Sequence, residues 1–295
     1  MFRSLRVKRA PEPALSPEGS LTAEQLNQDP GLPITLRQIN SLPDNAKRRI
    51  YRTLLPTSLL VPYGIDPISW KGPGGEQQVR LKGERDTGSM SISVRKTSDS
   101  NDDVLTLELA DNAYDGIELN LILINDPDSL RFGVDKDEEG KDTHFGTARR
   151  NLAEEERAMK AGLAPAQVRS GLKASRQVME NLENFLLALG QRLYFLEPLT
   201  YASAWVFERR GFAYVRGHRL MDDIHAQFQP GGRLYQALDG SSPFRQPDQW
   251  NTVRGRAWAI QDGILEALNA RWDGLRMVKQ IGRDAGVETF PGSVF

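Results

Sequence analysis

The feature that most constrains the fold is a run of short segments within residues 77–137 in which apolar and polar side chains alternate. The segments are QQVRLKGER, SMSISVRKT, DVLTLELADN, IELNLILIND and SLRFGVDKD, with Gly, Asp, Asn and Ser between them. Alternation with a period of two is typical of half-buried strands, and short polar connections of this kind join antiparallel neighbours. The pattern predicts an antiparallel meander in which consecutive strands are adjacent.

Other periodicities flank this meander. ITLRQINSLP, which begins at Ile34, alternates and predicts a short strand, whereas AKRRIYRTLLPTSLL after it has helical spacing. After Asp137 two helices are predicted, GTARRNLAEEERAMKAGL and PAQVRSGLKASRQVMENLENFLLALG, the second starting at Pro165 and ending at Gly190. RLYFLEPL predicts a strand, and the stretch around Trp250, Trp258 and Trp272 is expected to be mostly helical.

Composition narrows the class of protein. The 38 basic and 39 acidic residues give a net charge of -1, which provides no global field to attract nucleic acid or an anionic membrane. Without cysteine there can be no disulfide or cysteine-ligated metal, and the chain has only three histidines, so no metal site is predicted. No apolar run approaches the roughly 18 residues of a membrane span. The N-terminus lacks the apolar centre of a secretory signal, and the predicted location is the cytoplasm.

The sequence divides into a leader, a main domain and an extension. Residues 1–32 are rich in proline, glycine and small polar side chains, which predicts a mobile leader. Residues 33–235 carry the predicted α/β domain, and residues 236–295 a helical C-terminal extension. The apolar side chains of the extension fit either packing within the chain or a homo-oligomer interface, and the sequence leaves both open.

The stretch YASAWVFERRGFAYV predicts a helix that turns directly into a strand at Gly211. Glycine adopts the left-handed backbone conformation that commonly ends helices, so Gly211 is predicted to be a C-terminal cap. Arg209 and Arg210 stand at the negative end of the helix dipole, where cations are favourable. By itself this is an ordinary structural turn.

The order strand, helix, antiparallel meander, helix, strand, helix, strand resembles the GCN5-related N-acetyltransferase fold family. FERRGF, residues 207–212, is similar to the family's aromatic-Glu-Lys/Arg-x-Gly-Phe segment, and ITLRQI is similar to its first strand. The resemblance covers roughly Pro33 to Leu220. It implies an α/β fold with a mixed, mostly antiparallel sheet flanked by helices, to which this chain adds the helical C-terminal extension.

The resemblance also implies a co-substrate, acetyl-coenzyme A, in a gap between the meander and the following strand. In the family the pyrophosphate meets backbone N–H groups at a helix N-terminus, within Gln/Arg-x-x-Gly-x-Gly/Ala. THFGTARR provides Gly146, Thr147, Ala148, Arg149 and Arg150 for this role, although Thr replaces the first residue of the pattern. RSGLKASR, residues 169–176, is a second imperfect match. It is expected inside a continuous helix, where the N–H groups are already bonded.

The family's catalytic pattern is incomplete in this chain. Many members have a tyrosine where Phe207 stands, and phenylalanine has no proton to give to the leaving thiolate. Glu197 and Glu118 are candidate bases, and Tyr201 is a candidate acid. Two functions remain open: transfer of an acetyl group to a small-molecule or peptide amine by direct attack, or a catalytically inactive scaffold that binds a ligand or a protein partner.

Overall fold

The computed structural model describes residues 35–114, 116–144 and 149–295, so the predicted leader lies outside the described residues. The strands are β1 Val79–Lys82, β2 Ser89–Val94, β3 Leu105–Asp111, β4 Ile117–Ile124, β5 Leu193–Leu196, β6 Ala213–Arg216 and β7 Arg276–Gln280. The α-helices are α1 Leu36–Asn40, α2 Asp44–Tyr51, α3 Thr57–Leu60, α4 Leu152–Lys160, α5 Ser175–Ala188, α6 Tyr201–Glu208, α7 His218–Gln227, α8 Arg233–Gln236 and α9 Val253–Gln261. Short 3-10 turns are Arg52–Leu54, Val61–Tyr63, Pro247–Asn251 and Ile264–Leu268.

The strands form one mixed sheet in the order β1-β2-β3-β4-β5-β7-β6. β1 to β4 are the predicted antiparallel meander, and β7 pairs antiparallel with both β5 and β6. Among the described strands, β4 and β5 are the one pair that runs parallel. The predicted α/β class, with a mixed and mostly antiparallel sheet flanked by helices, is therefore confirmed.

One face of the meander is buried and the other is half-exposed, as the alternation requires. The buried face carries Met90, Ile92, Val94, Leu105, Leu107, Leu109, Ile117 and Leu119. Helix α1 packs on β2 and β3, and α5 packs on the turn Arg52–Leu54, so these helices supply the covering layer. The opposite face carries polar side chains such as Ser91, Glu108 and Glu118.

The prediction of a strand in ITLRQINSLP is wrong for the part that is described, because Leu36–Asn40 is helical. Thr35 and Gln38 form a reciprocal capping box at its start. The Asp111 carboxylate from β3 also accepts hydrogen bonds from the N–H groups of Leu36 and Arg37, at 2.8 and 3.0 Å. The apolar residues Leu36 and Ile39 are three apart, which suits one face of a helix as well as a strand.

Two further segments differ from their predictions. SLRFGVDKD is not part of the sheet; its Phe132 and Val134 instead bury in a separate cluster with Phe244 and Trp258. The helix predicted from Pro165 begins only at Ser175, and the residues between them are irregular. Most apolar positions of the two segments are buried or half-buried, although Leu130 is exposed, and the backbone conformation is decided by tertiary contacts.

The C-terminal stretch was expected to be helical, yet it supplies β7, which lies between β5 and β6. A short strand of this kind gains its hydrogen bonds from both neighbours at once, which a local pattern does not reveal. The apolar side chains of α9 and of the turn Ile264–Leu268 are buried inside this chain. Packing within the chain, one of the two alternatives, accounts for them.

The turn after α6 is as predicted. Gly211 has a φ of 79°, in the left-handed region, and its N–H donates to the Glu208 carbonyl at 2.8 Å. The Phe212 N–H donates to the Phe207 carbonyl at 3.1 Å, which completes the reversal into β6.

Candidate functional site

The candidate site is the place where β4 and β5 separate. The parallel pairing joins Ile117 to Tyr194 and Leu119 to Leu196, and there it ends. β4 continues to Ile124, whereas the chain after Leu196 leaves the sheet and enters α6. The parallel pairing therefore ends at the carboxyl end of β5, and the region beyond it, which we call the gap, is a position where ligands commonly bind in α/β sheets.

A β-bulge lies at this opening. In the β3–β4 register, Leu109 faces Leu119 and Glu108 faces Leu121, so Asn120 is the extra residue. Asn120 is exposed between half-buried or buried neighbours. Bulges bend a strand and increase its local twist, and they are frequent beside binding sites. The bulge gives a local reason for β4 to turn away from β5 at this level.

The chain that leads into α5 lies against the end of β4. The Asp126 N–H donates to the Ser170 carbonyl at 2.7 Å, and a Cβ at Gly171 would stand 3.3 Å from the Ile124 carbonyl oxygen. RSGLKASR is thus largely a loop that precedes a helix N-terminus, and the expectation of a continuous helix is wrong. Its backbone N–H groups before Ser175 are not used by an α-helix.

The N-terminus of α5 is basic and lacks a side-chain cap. Its N-cap residue, Ala174, makes no capping hydrogen bond, so the first-turn N–H groups have no cap among the described residues. Arg210 from the FERRGF turn donates to the Ser175 hydroxyl at 2.7 Å. Lys173 and Arg176 are exposed beside it, and Arg176 pairs with Glu180 at 3.0 Å. Orphan N–H groups, the helix dipole and these cations together favour an anion.

The first phosphate-loop candidate is described only in part. Gly146, Thr147 and Ala148 lie outside the described residues. Arg149 pairs with Asp137 at 2.9 Å, and this hydrogen bond lowers the pKa of Asp137. Arg149 nonetheless stays half-exposed, with a side-chain exposure of 50%.

Arg150 from the same loop is engaged inside the protein. Its guanidinium contacts Glu155 and pairs with Asp262 at 2.9 Å, and it stacks over the Phe244 ring. Burial opposes the charge of Arg150, but the hydrogen bonds to these carboxylates outweigh it and raise its pKa. The interaction ties α4 to the turn after α9.

The two candidate bases lie near the gap in different settings. Glu118 precedes the bulge on β4 and pairs with Arg276 of β7, whose guanidinium stacks on the Phe195 ring at 5.2 Å. Glu197 directly follows β5, is exposed, and makes no ion pair with any described residue. Of the two carboxylates, Glu197 has the freer lone pairs.

Tyr201, the candidate acid, is inside the core. Its side chain is 1% exposed and packs edge-on against Trp272, and its hydroxyl has no partner among the described residues. Burial raises its pKa, an effect that the nearby Arg256 partly offsets. Phe207 packs edge-on against Phe212, with ring centroids 5.1 Å apart. Neither ring therefore presents a hydroxyl to the gap.

The described residues contain no cluster of three or more His, Asp or Glu side chains arranged to hold a metal ion. In the same part of the chain, every helix is too short or too polar to cross a bilayer.

Comparison with known proteins gives no relative for this chain. No protein-family model matches the sequence. No curated protein and no solved structure matches it either.

The contact between Arg210 and Ser175 was not anticipated from the sequence. The two residues are far apart in the chain, and no local pattern links them. Ser170-Gly171 is a weak signal for a break before Ser175, because serine and glycine both disfavour a continuing helix.

Proposed function

We propose that this protein is an acyl-coenzyme A-dependent N-acyltransferase with acetyl-coenzyme A in the gap between β4 and β5. The observation that carries the proposal is that the parallel pairing of these strands ends at Leu119 and Leu196, beside the Asn120 bulge. A gap at this place is what the resemblance to the GCN5-related N-acetyltransferases implies for the co-substrate.

The phosphates of the coenzyme are assigned to the N-terminus of α5. Three features support this assignment: the first turn has no side-chain cap, the Arg210 guanidinium donates to the Ser175 hydroxyl, and Lys173 is exposed. This assignment moves the phosphates from the loop of residues 146–150 to RSGLKASR, the second match in the sequence. The earlier loop stays a competing assignment, and Arg149 is its exposed cation.

The proposed reaction is direct transfer. The amine nitrogen attacks the thioester carbonyl carbon, the carbon–sulfur bond breaks, and the acetyl group ends on nitrogen. A carboxylate accepts the proton that the amine loses, and the leaving thiolate takes a proton from water, because neither Phe207 nor Tyr201 presents one. We assign the base to Glu197, since Glu118 is held by Arg276.

A second candidate function is binding of the same coenzyme without turnover. The specific observation in its favour is that Phe207 has no hydroxyl and the Tyr201 hydroxyl is buried. General acid–base catalysis typically contributes about 10²–10⁴-fold, so losing the acid would slow a transferase severely.

Calorimetric titration of the full chain with coenzyme A tests the assignment of the phosphates. We expect Arg210→Ala and Lys173→Ala each to weaken binding several-fold, up to about tenfold, because a cation near a helix N-terminus contributes ~1 kcal/mol to anion binding. Arg209→Ala is the matched control, since Arg209 is the adjacent residue and pairs with Glu288 at 3.0 Å. Absence of binding at millimolar coenzyme A would contradict the proposal.

The same titration separates the two phosphate assignments. If Arg149→Ala weakens binding and Arg210→Ala does not, the phosphates belong to the loop of residues 146–150. Release of free thiol from acetyl-coenzyme A over a panel of small and peptide amines then tests turnover. Binding without thiol release would select the scaffold over the enzyme, whereas loss of turnover in Glu197→Gln with unchanged binding would support Glu197 as the base.

A further inference from the structure

Arg256 of α9 is a fully buried cation, with 0% exposure. No carboxylate of the described residues lies within ion-pair distance of its guanidinium. Nε donates to the Trp250 carbonyl at 2.5 Å, Nη1 lies 3.3 Å from His225 Nδ1, and Nη2 has no partner in this part of the chain. A buried charge in this state depends strongly on each of its few contacts.

Aromatic rings compensate part of this charge. The guanidinium carbon lies 3.5 Å from the Phe290 ring centroid and 5.1 Å from that of Phe228. Phe290 also packs on the His225 ring, with centroids 5.4 Å apart. Phe290 therefore sits on both members of the Arg256–His225 pair, and its position depends on their contact.

Phe290 belongs to a C-terminal segment, residues 288–295, that is fastened to α6 and α9. Thr289 donates to Glu208 from both its N–H and its hydroxyl, and the Trp205 indole donates to Ser293 at 2.8 Å. The Phe295 ring packs on Trp205, and the Val253 N–H donates to the Val294 carbonyl. Of the contacts that hold this segment, the one at Phe290 includes a histidine.

We propose that His225 makes a pH-sensitive contact that holds this segment in place, and that protonation of its ring loosens residues 288–295 from α6 and α9. Only a neutral imidazole can accept the hydrogen bond from Arg256 at Nδ1. A protonated ring would place a second cation 3.3 Å from a guanidinium that has no carboxylate partner. Separation of α7 from α9 relieves this repulsion, and it removes the surface on which Phe290 rests.

The groups around His225 set the direction of the effect. Arg256 faces it from α9 and Asp222 from its own helix, while Gln229 and Phe290 carry no charge. Burial and then Arg256 lower the pKa of His225, and Asp222 opposes them. In the loosened state the ring takes up a proton near its ordinary pKa of about 6.5, whereas the fastened state resists it. Attachment is therefore complete above about pH 6.5 and weakens as the pH falls below this value.

Hydrogen exchange of the full chain, followed by mass spectrometry at pH 7.5 and pH 5.5, tests the proposal. After correction for intrinsic exchange, protection of residues 288–295 should fall by roughly fivefold to tenfold at the lower pH, because pH 5.5 lies one unit below the ordinary histidine pKa of about 6.5. Protection of α5 should change little. His225→Gln keeps an acceptor for Arg256 and should abolish the pH dependence. His218→Gln, at an exposed histidine of the same helix that pairs with Asp222, should leave it intact.

Equal protection of residues 288–295 at the two pH values would overturn the proposal, as would an unchanged pH response in His225→Gln. If that variant does not fold, titration of the His225 ring by NMR in the unmodified protein decides the matter. A pKa below 6.5 supports the proposal, and a pKa above 6.5 contradicts it.

Discussion

Gly211→Ala should lower the free energy of unfolding by about 3 kcal/mol, the sum of backbone strain and a steric clash. The strain arises because Gly211 has a φ of 79°, where a side chain is unfavourable. The clash arises because a Cβ would lie 2.5 Å from Lys279 Nζ and 3.0 Å from the Asp284 Cα. Lys279 cannot move freely, since its ammonium donates to the Arg210 carbonyl at 2.6 Å. Urea denaturation of both proteins measures the difference.

Gly286→Ala is the matched control for this substitution. Gly286 also has a positive φ, of 67°, but a Cβ there would meet nothing within 4 Å. Its cost should therefore be the strain alone, about 1 kcal/mol. Equal losses in the two variants would show that the space around Gly211 accommodates a methyl group, contrary to the geometry.

Glu208→Ala should destabilise the protein by about 3 kcal/mol, because a buried carboxylate with several hydrogen bonds is removed and its donors stay buried. Glu208 is 3% exposed and accepts from the Tyr214 hydroxyl at 2.6 Å and from the N–H and hydroxyl of Thr289 at 3.0 and 2.7 Å. Burial and then this carboxylate raise the pKa of Tyr214, so the phenol stays a donor.

Thermal and urea unfolding of Glu208→Ala should be compared with those of Glu180→Ala. Glu180 also lies on a helix and pairs with Arg176, but both side chains are exposed, so its loss should cost about 0.5 kcal/mol or less. Tyr214→Phe should have an intermediate effect, since it removes one of the three donors. A small effect of Glu208→Ala, similar to that of the control, would mean that water replaces the lost carboxylate.

Glu208 and Gly211 give the FERRGF segment a structural role that requires no catalytic activity. Its glutamate joins α6 to β6 and to the C-terminal segment, and its glycine allows the chain to reverse. Arg210 extends from this turn toward the candidate site, where it donates to Ser175. The turn is therefore chiefly structural, and only this arginine connects it to the candidate site.

The sequence by itself determined the elements that depend on local physics. The period of two determined β1 to β4, because hairpin strands are adjacent in the chain and their alternation records which face is buried. The requirement for a left-handed backbone determined the cap at Gly211. Glu118 and Glu197 are proposed as bases from the family resemblance, and they lie in β4 and directly after β5.

Only the tertiary structure decided the elements that depend on distant partners. Leu36–Asn40 is a helix partly because Asp111 accepts its first N–H groups. β7 is a strand because β5 and β6 leave a position between them. RSGLKASR is largely a loop because it lies along the end of β4. The burial of Tyr201 and the contact between Arg210 and Ser175 also depend on residues that are far apart in the chain. No local periodicity in the sequence indicates them.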